Sequence, residues 1–321
     1  MARADLLVAL VRAASSGDRS AFVSTLEALI AEERAKHHHR LAEELASCLA
    51  ESPQASLPSS TSFPSDLLVE VAPDRKLSDL VLRGTTSSTL DELVAEHHRA
   101  DLLRTYGLEP RHRLLLVGQP GNGKTSVAEC LAGELYVPLY AVRYEGVIGS
   151  YLGETTARLQ RVFEHVRPRN CVLLFDEFDT IGKERGDEHE TGEIKRVVSS
   201  LLLQIDHLPS RVVVVAATNH PELLDRAAWR RFELRIDLPP PTRAQIAELL
   251  SRFAVQHGID LGRSPRTLAD HLLGTSFAEI EGFAVSLLRR YVLALPDADM
   301  RAIAAAQLAE IAERVEAPGG A

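Results

Sequence analysis

The chain has few cysteines and no long apolar run, and each shortage excludes a class of protein. Cys48, Cys130 and Cys171 show neither the pairing of a disulfide framework nor the spacing of metal ligands, which is typical of a reducing compartment. No apolar run approaches the roughly 20 residues that cross a membrane as a helix. Near the N-terminus, Asp5 and Arg12 bracket only six apolar residues, too few for a signal peptide. We therefore expect a cytoplasmic protein without membrane association.

The chain also has no excess of positive charge and few aromatic side chains. The 321 residues carry a formal net charge of −9, include 5% aromatic residues and contain no block rich in Lys and Arg. A nucleic-acid groove combines basic and aromatic side chains, so nucleic acid is a disfavoured partner. The 45% of hydrophobic and 25% of charged residues match a globular protein with one large domain and one or two small ones.

The most informative segment is GQPGNGKT, which runs from Gly118 to Thr125 after the apolar run RLLLV and before a predicted helix over 124–136. A strand, a glycine-rich loop and a helix N-terminus turn backbone N–H groups toward one point, which suits a polyphosphate. Lys124 can reach the β- and γ-phosphates, and the Thr125 hydroxyl is suited to hold Mg²⁺. Taken alone, the octapeptide also fits an ordinary turn with a surface lysine.

A second apolar run, CVLLF over 171–175, ends in the carboxylates of Asp176 and Glu177. Two carboxylates at a strand end are costly to hold together unless a cation and a water share them. Asp176 would hold Mg²⁺ through water, and Glu177 would polarise the water that attacks the phosphate. The metal-holding residues are thus Thr125 and Asp176. The predicted nucleotide-binding residues are Gly118, Gln119, Pro120, Gly121, Asn122, Gly123, Lys124, Thr125, Ser126 and Asp176.

Composition divides the chain into five segments. Residues 1–52 show three stretches with helical apolar spacing and predict a three-helix bundle, either plain core or a docking module for an adaptor or neighbouring subunit. Residues 53–66 are rich in Ser and Pro, which predicts a flexible linker. Residues 67–240 alternate strands with helices, residues 241–316 are purely helical after a run of prolines, and residues 317–321 form a flexible tail.

Alternating strands and helices favour a parallel sheet with helices on both faces. A helix is predicted over 88–106, ahead of the first strand. The predicted strands cover 113–117, 139–143, 171–175, 212–217 and 234–238. The predicted helices of the C-terminal segment cover 242–257, 264–273, 276–295 and 300–315.

From about residue 70 to 316 the chain resembles AAA-type ATPases. The resemblance rests on the ordered set of GQPGNGKT, Asp176-Glu177, ATNHPELLD over 217–225 and WRRF over 229–232. It implies an α/β fold, with the parallel sheet of P-loop NTPases and a C-terminal helical lid subdomain beside the small N-terminal bundle. It also implies ATP and Mg²⁺ as cofactors and a homo-oligomeric ring, a hexamer, as the active form.

The resemblance further assigns roles to residues outside the two acidic and glycine-rich motifs. Asn219 matches the first sensor, which contacts the γ-phosphate or the attacking water. Arg230 and Arg231 match the arginines that enter the pocket of the adjacent subunit. Tyr151 and Leu152, in GSYLGE, match the first pore loop that grips a polypeptide, and 186–190 would form the second pore loop.

Each of these segments also has a plainer interpretation when it is taken alone. Asn219 would be a turn residue before His-Pro, the two arginines would pair with local carboxylates, and Tyr151 would anchor its own loop.

The branch within the family follows from smaller details. Ala278 stands in the second-sensor region, where more distant relatives have an arginine, and this favours the protein-remodelling branch. The surroundings of Asp179, His220 and Trp229 resemble a bacterial subset encoded beside subtilisin-like serine peptidases, which implies a serine peptidase as a partner.

The resulting hypothesis is an ATP-hydrolysing motor that remodels or unfolds a protein substrate through a central pore. The alternative is a nucleotide-gated regulatory partner that activates a separate effector, such as a serine peptidase, without threading.

Overall fold

The chain divides into two compact units, Met1–Ser62 and Phe63–Ala321. In the first unit, the apolar residues Leu26, Leu29 and Ile30 are helical and buried. They belong to the second of the three stretches that predict the N-terminal bundle. The rest of the predicted three-helix bundle and the tail 317–321 lie outside the described residues. The computed structural model of the protein describes residues 25–26, 29–30, 63–147, 152–181, 190–224 and 226–316.

Six strands form one sheet in the order β1-β3-β4-β5-β2-β6. All neighbours are parallel except β1, which runs antiparallel to β3. The predicted α/β sheet is confirmed, and the predicted strands are confirmed to within one residue at each end. The additional strand β1, which was not predicted, forms an antiparallel edge of this sheet. The strands are β1 (Leu68–Val71), β2 (Arg113–Val117), β3 (Leu139–Val142), β4 (Cys171–Phe175), β5 (Val212–Thr218) and β6 (Leu234–Asp237).

Helices separate the parallel strands, and further helices follow the last of them. The α/β part contains α1 (Gly84–His98), α2 (Ala100–Thr105), α3 (Lys124–Glu134), α4 (Tyr144–Val147), α5 (Leu152–Val166), α6 (Glu190–Asp206) and α7 (Arg226–Arg231). The lid contains α8 (Arg243–His257), α9 (Pro265–His271), α10 (Phe277–Leu293) and α11 (Met300–Glu316). Within the described ranges, none of these helices has the length and apolar composition needed to cross a membrane.

The single helix predicted over 88–106 is wrong, because two helices occupy this region. The first begins four residues earlier, at Gly84, where the Ser88 and Thr89 hydroxyls donate to the carbonyls of Gly84 and Thr85. The run of Thr and Ser has low helix propensity, but α1 buries Leu90 and packs on the sheet. The backbone leaves helical geometry at Arg99, with φ −114° and ψ 28°.

The sheet is apolar on both faces, as expected for parallel strands covered by helices. Alternate residues of β5 show this best. Val212, Val214 and Ala216 pack in the core formed with α5 and α6. The other set, Val213, Val215 and Ala217, packs in the core formed with α1 and α3. All seven residues of β5 are buried, so this strand is the centre of the α/β core.

Phe63 packs against the core and Pro64 is buried, whereas Ser65 and Asp66 are exposed, so packed residues begin inside the predicted linker. The ring of Phe63 packs edge-on against His165, with centroids 5.4 Å apart, and lies 5.9 Å from Tyr140. Burial lowers the pKa of His165, so the neutral ring is the form that fits this apolar contact. The Ser- and Pro-rich composition of 53–66 did not indicate that Phe63 packs against apolar residues of the α/β part.

The lid has a core of its own and contacts the α/β part through α8. Ile246, Leu268 and Ile280 are fully buried in that core. Gln245 Nε2 donates to the carbonyl of Val81 at 3.2 Å, and Arg252 Nη1 donates to that of Ser78 at 2.8 Å. These bonds place the lid beside the segment 76–82.

Candidate active site

Three parallel strands bring the predicted site residues to one edge of the sheet. The segment Gly118–Thr125, here called the phosphate loop, follows β2, Asp176 follows β4 and Asn219 follows β5. Because β5 lies between β2 and β4, Asn219 stands between the phosphate loop and the acidic pair. Open α/β sheets bind ligands at such a carboxyl edge.

Two glycines give the phosphate loop its shape. Gly121 and Gly123 have φ values of +76° and +83°, in the left-handed region that other residues rarely adopt. A Cβ at Gly121 would also lie 2.8 Å from Ser276 Oγ of the lid. The carbonyl of Gly121 accepts from the N–H of Ala278 at 3.0 Å. The lid therefore touches the loop through backbone atoms at the position where Ala278 replaces an arginine.

Lys124 connects the phosphate loop to Asn219. Its ammonium donates to the carbonyls of Gly118 at 2.7 Å and Gln119 at 3.0 Å, and to Asn219 Oδ1 at 2.6 Å. The predicted lysine and the predicted sensor are therefore in direct contact.

The charge environment of Lys124 is mixed. Burial lowers the pKa of Lys124, whereas the carboxylates of Asp176, Asp179 and Glu177 oppose that shift. Lys124 is thus a buried cation close to three carboxylates. An anionic ligand would add charge of the sign that favours its protonated form.

Two hydrogen bonds orient the carboxylate of Asp176. Thr125 Oγ1 donates to Asp176 Oδ2 at 2.7 Å, and the N–H of Glu177 donates to Asp176 Oδ1 at 2.9 Å. A hydroxyl and a carboxylate in contact are oxygen donors of the kind that Mg²⁺ prefers. These two residues therefore fit the predicted metal site.

Glu177 has a left-handed backbone, with φ 49°, which the sequence did not predict. This conformation costs a residue with a Cβ about 1–2 kcal/mol, and such strain is typical of functional positions. The side chain is exposed and lines the cavity beside the phosphate loop. Among the described residues its carboxylate accepts no hydrogen bond, so it is available to a water molecule.

Asp179 accepts hydrogen bonds from the end of β5 next to Asn219, a role that the sequence did not predict. Its carboxylate is 2% exposed and accepts from Thr218 Oγ1 at 2.9 Å and from the N–H of Asn219 at 3.4 Å. The signal was present as the third acidic residue of DEFD. Nothing in that motif, however, predicted a contact with the end of β5.

The site residues surround a cavity of about 340 Å³, within the range of small-molecule sites. Pro120, Gly121, Asn122, Gly123, Lys124, Thr125, Ser126, Asp176, Glu177 and Asn219 line its polar end. Gly118 and Gln119 contribute through their carbonyls to Lys124 instead. The cavity also has an apolar wall, which the sequence did not predict. It is formed by Leu80, Val81, Leu82, Leu249 and Phe277. A polar end with a cationic loop and an apolar end suit a nucleoside triphosphate.

The two predicted trans-acting arginines have different surroundings. Both lie on α7, and neither is among the described residues that line the cavity of their own chain. Arg230 is exposed and forms no ion pair within the described ranges. Arg231 forms an ion pair with Asp206, which also pairs with Arg113 at 3.2 Å. Arg231 is therefore held within its own chain, whereas Arg230 is exposed.

The predicted pore residues lie largely outside the described part of the chain. Tyr151 is not described, and neither are 186–189 of the second pore loop. Leu152 is the first residue of α5. Glu190 is the first residue of α6.

Comparisons with known proteins agree with this geometry. The family model described as ATPase family associated with various cellular activities (AAA) matches residues 114–240, from β2 to just beyond β6. The chain is 37% identical over 303 residues to Uncharacterized AAA family ATPase y4kL of Sinorhizobium fredii, covering 91% of this chain and 90% of that protein.

Two further relatives share only part of their length with this chain. ATP-dependent zinc metalloprotease FtsH 3 of Sphaerobacter thermophilus is 32% identical over 214 residues, which is 65% of this chain and 44% of that protein. Peroxisomal ATPase PEX6 of Kluyveromyces lactis is 34% identical over 193 residues, which is 56% of this chain and 19% of that protein. The near full-length match to the Sinorhizobium protein decides the family. The chain belongs to the AAA family of ATPases.

Proposed function

We propose that this protein is an ATP-driven motor that assembles into a ring, a hexamer, and remodels or unfolds a protein substrate through the central pore. The observation that carries the ATPase part is the convergence of Lys124 with Asn219, at 2.6 Å, and of Thr125 with Asp176, at 2.7 Å, around one cavity. The cytoplasmic location stays a prediction.

In this proposal each side chain has one task. The backbone of the phosphate loop and Lys124 bind the phosphates of ATP, and Thr125 and Asp176 hold Mg²⁺, the latter through water. Mg²⁺, when bound, supplies Lewis-acid stabilisation of the phosphate charge. Glu177 accepts the proton of the attacking water, and Asn219 orients that water or contacts the γ-phosphate.

The ring part of the proposal rests on Arg230. An exposed arginine without an ion pair in the described part of its own chain is free to enter the nucleotide site of a neighbour. A guanidinium there would stabilise the charge of the transition state. We assign this role first to Arg230, since Arg231 pairs with Asp206.

The protein-remodelling part is supported by the relatives. One is named an ATP-dependent metalloprotease and another a peroxisomal ATPase, and both are larger proteins. In this chain, Tyr151 and Leu152 are the proposed contacts with substrate. A serine peptidase stays a proposed partner, as the subset resemblance implies.

The threading step predicts a selective defect for Tyr151→Ala. With a fluorescent protein carrying an unstructured tail as the probe, we expect this variant to unfold it about tenfold more slowly, the equivalent of about 1.4 kcal/mol. ATP turnover should stay near that of the wild type, because the role proposed for Tyr151 is contact with the polypeptide and not with the nucleotide. The measurements are loss of probe fluorescence and release of phosphate.

Tyr106→Ala is the matched control, because it makes the same substitution at a tyrosine that is 78% exposed and has no proposed role in threading. It should unfold the probe at the wild-type rate. Unfolding that is equally fast in Tyr151→Ala would reject threading. If the wild type hydrolyses ATP, leaves the probe folded and stimulates a peptidase, the nucleotide-gated alternative is correct.

A further inference from the structure

Tyr144 lies where the carboxyl end of β3 meets the acidic end of β4. These strands are parallel neighbours, with Ala141 opposite Leu174, so the residues after each strand share one edge of the sheet. Tyr144 is the first residue of α4. Its ring packs against the apolar core on the α5 and α6 face of the sheet. Tyr144 therefore lies at the same edge of the sheet as Asp176 and Glu177.

The hydroxyl of Tyr144 is enclosed and has no hydrogen-bond partner among the residues described in the structure. Buried hydroxyls are normally paired, so an unpaired one next to an active site needs an explanation. Burial raises the pKa of Tyr144 well above its usual value, and the carboxylates of Asp176, Asp179 and Glu177 add to that effect. The phenol is therefore neutral, and its proton is available for donation to a carboxylate.

Of those three carboxylates, two already have donors. Asp176 accepts from Thr125 Oγ1 and from the N–H of Glu177, and Asp179 accepts from Thr218 Oγ1. The carboxylate of Glu177 accepts no hydrogen bond within the described ranges. It also sits on a left-handed backbone, at φ 49°, that other contacts must hold in place.

We propose that Tyr144 is a positioning residue whose hydroxyl donates to the Glu177 carboxylate in the nucleotide-bound protein and fixes the direction in which that carboxylate faces water. This inference rests on the proposed role of Glu177 in ATP hydrolysis. Tyr144 is not among the described residues that line the cavity, so it acts through Glu177 and leaves nucleotide contacts unchanged.

The test is Tyr144→Phe, which removes one oxygen and keeps the ring that packs in the core. We expect kcat for ATP to fall about tenfold, as for loss of a hydrogen bond to a charged group. The Kd of Mg·ATP, measured by direct binding, should stay within about twofold, because the phosphate loop is intact. The melting temperature should be equal or higher, because the enclosed hydroxyl has no partner in the described structure.

The matched control is Tyr140→Phe. Tyr140 is a buried tyrosine on β3, four residues before Tyr144, and its ring contacts Phe63 and His165. It should keep wild-type kcat. In the Glu177→Gln background, Tyr144→Phe should cause little further loss, because the acceptor charge is gone.

Three results would overturn the inference. The first is a kcat of Tyr144→Phe equal to that of Tyr140→Phe. The second is a fall in kcat on adding Tyr144→Phe to Glu177→Gln that is as large as the fall in the wild-type background. The third is a fall in the kcat of Tyr144→Phe that comes with a lower melting temperature. If Glu177→Gln hydrolyses ATP as fast as the wild type, the proposed function itself fails. If only Tyr144→Phe is normal, the proposed function stands without this positioning role.

Discussion

Glu177→Gln is expected to lower the rate of ATP hydrolysis by about 10²–10⁴-fold, the usual contribution of a general base. The amide keeps the size of the side chain but cannot accept the proton of the attacking water. The structure gives Glu177 the properties of such a base. Its side chain lines the cavity, its carboxylate accepts no hydrogen bond among the described residues, and its backbone is left-handed.

Nucleotide binding should survive this change. Lys124 and the backbone of the phosphate loop are untouched, and removing one negative charge beside Asp176 and Asp179 favours an anionic ligand. Equilibrium binding of Mg·ATP and the rate of phosphate release together measure the two effects. The expected variant binds ATP as tightly as the wild type, or more tightly, and hardly turns it over.

Glu222→Gln is the control for this experiment. Glu222 is an exposed carboxylate just beyond Asn219, paired with His220 at 3.0 Å, and it is not among the described residues that line the cavity. It should hydrolyse ATP at close to the wild-type rate. A Glu177→Gln protein with turnover similar to that of Glu222→Gln would remove Glu177 from the catalytic step.

Arg230→Ala is expected to lower ATP turnover by about 10³–10⁵-fold. This is the range for an arginine that enters the site and stabilises the transition state of phosphoryl transfer. Its stability should not change, because Arg230 is exposed and forms no ion pair in the described part of the chain. ATP binding should be retained, since neither the phosphate loop nor Asp176 is altered.

Arg231→Ala should lower stability and leave most of the ATP turnover intact. Its loss breaks the ion pair with Asp206 and costs about 1 kcal/mol of stability or less, because the arginine is partly exposed. The defect in hydrolysis should be much smaller than that of Arg230→Ala. Thermal unfolding and phosphate release, measured on both variants, separate the two arginines.

The conservative variant Arg231→Lys tests the same point, because it keeps the charge beside Asp206. It should recover most of the lost stability. If Arg231→Ala is as inactive as Arg230→Ala and equally stable, both arginines act on the neighbouring site, as the family resemblance implies.

The sequence predicted those parts of the fold that local patterns specify. The central strands β2, β4 and β5 are short apolar runs between polar segments, and they begin or end within one residue of their predicted limits. The edge strand β1 was missed. It has only four residues, LVEV, directly after a stretch rich in Ser and Pro, and it forms by pairing with a distant strand, β3.

The site likewise has parts that local sequence patterns specify and parts that only the folded chain brings together. Lys124, Thr125 and Asp176 belong to contiguous motifs, and the structure brings them together. The apolar wall of the cavity comes from residues 80–82, Leu249 and Phe277, which are far apart in the chain and share no local pattern. That wall is assembled only when the lid folds against the segment 76–82 and the phosphate loop.

In the proposed ring, a second copy of the chain completes each nucleotide site. The direct test mixes two inactive variants, Lys124→Ala and Arg230→Ala, in equal amounts and measures phosphate release. A site with an intact Lys124 can then receive Arg230 from its neighbour, and random assembly gives about one such site in four. We predict that the mixture regains hydrolysis well above the average of the two variants alone. A mixture that stays at that average, although the two variants form common oligomers, would contradict a shared site.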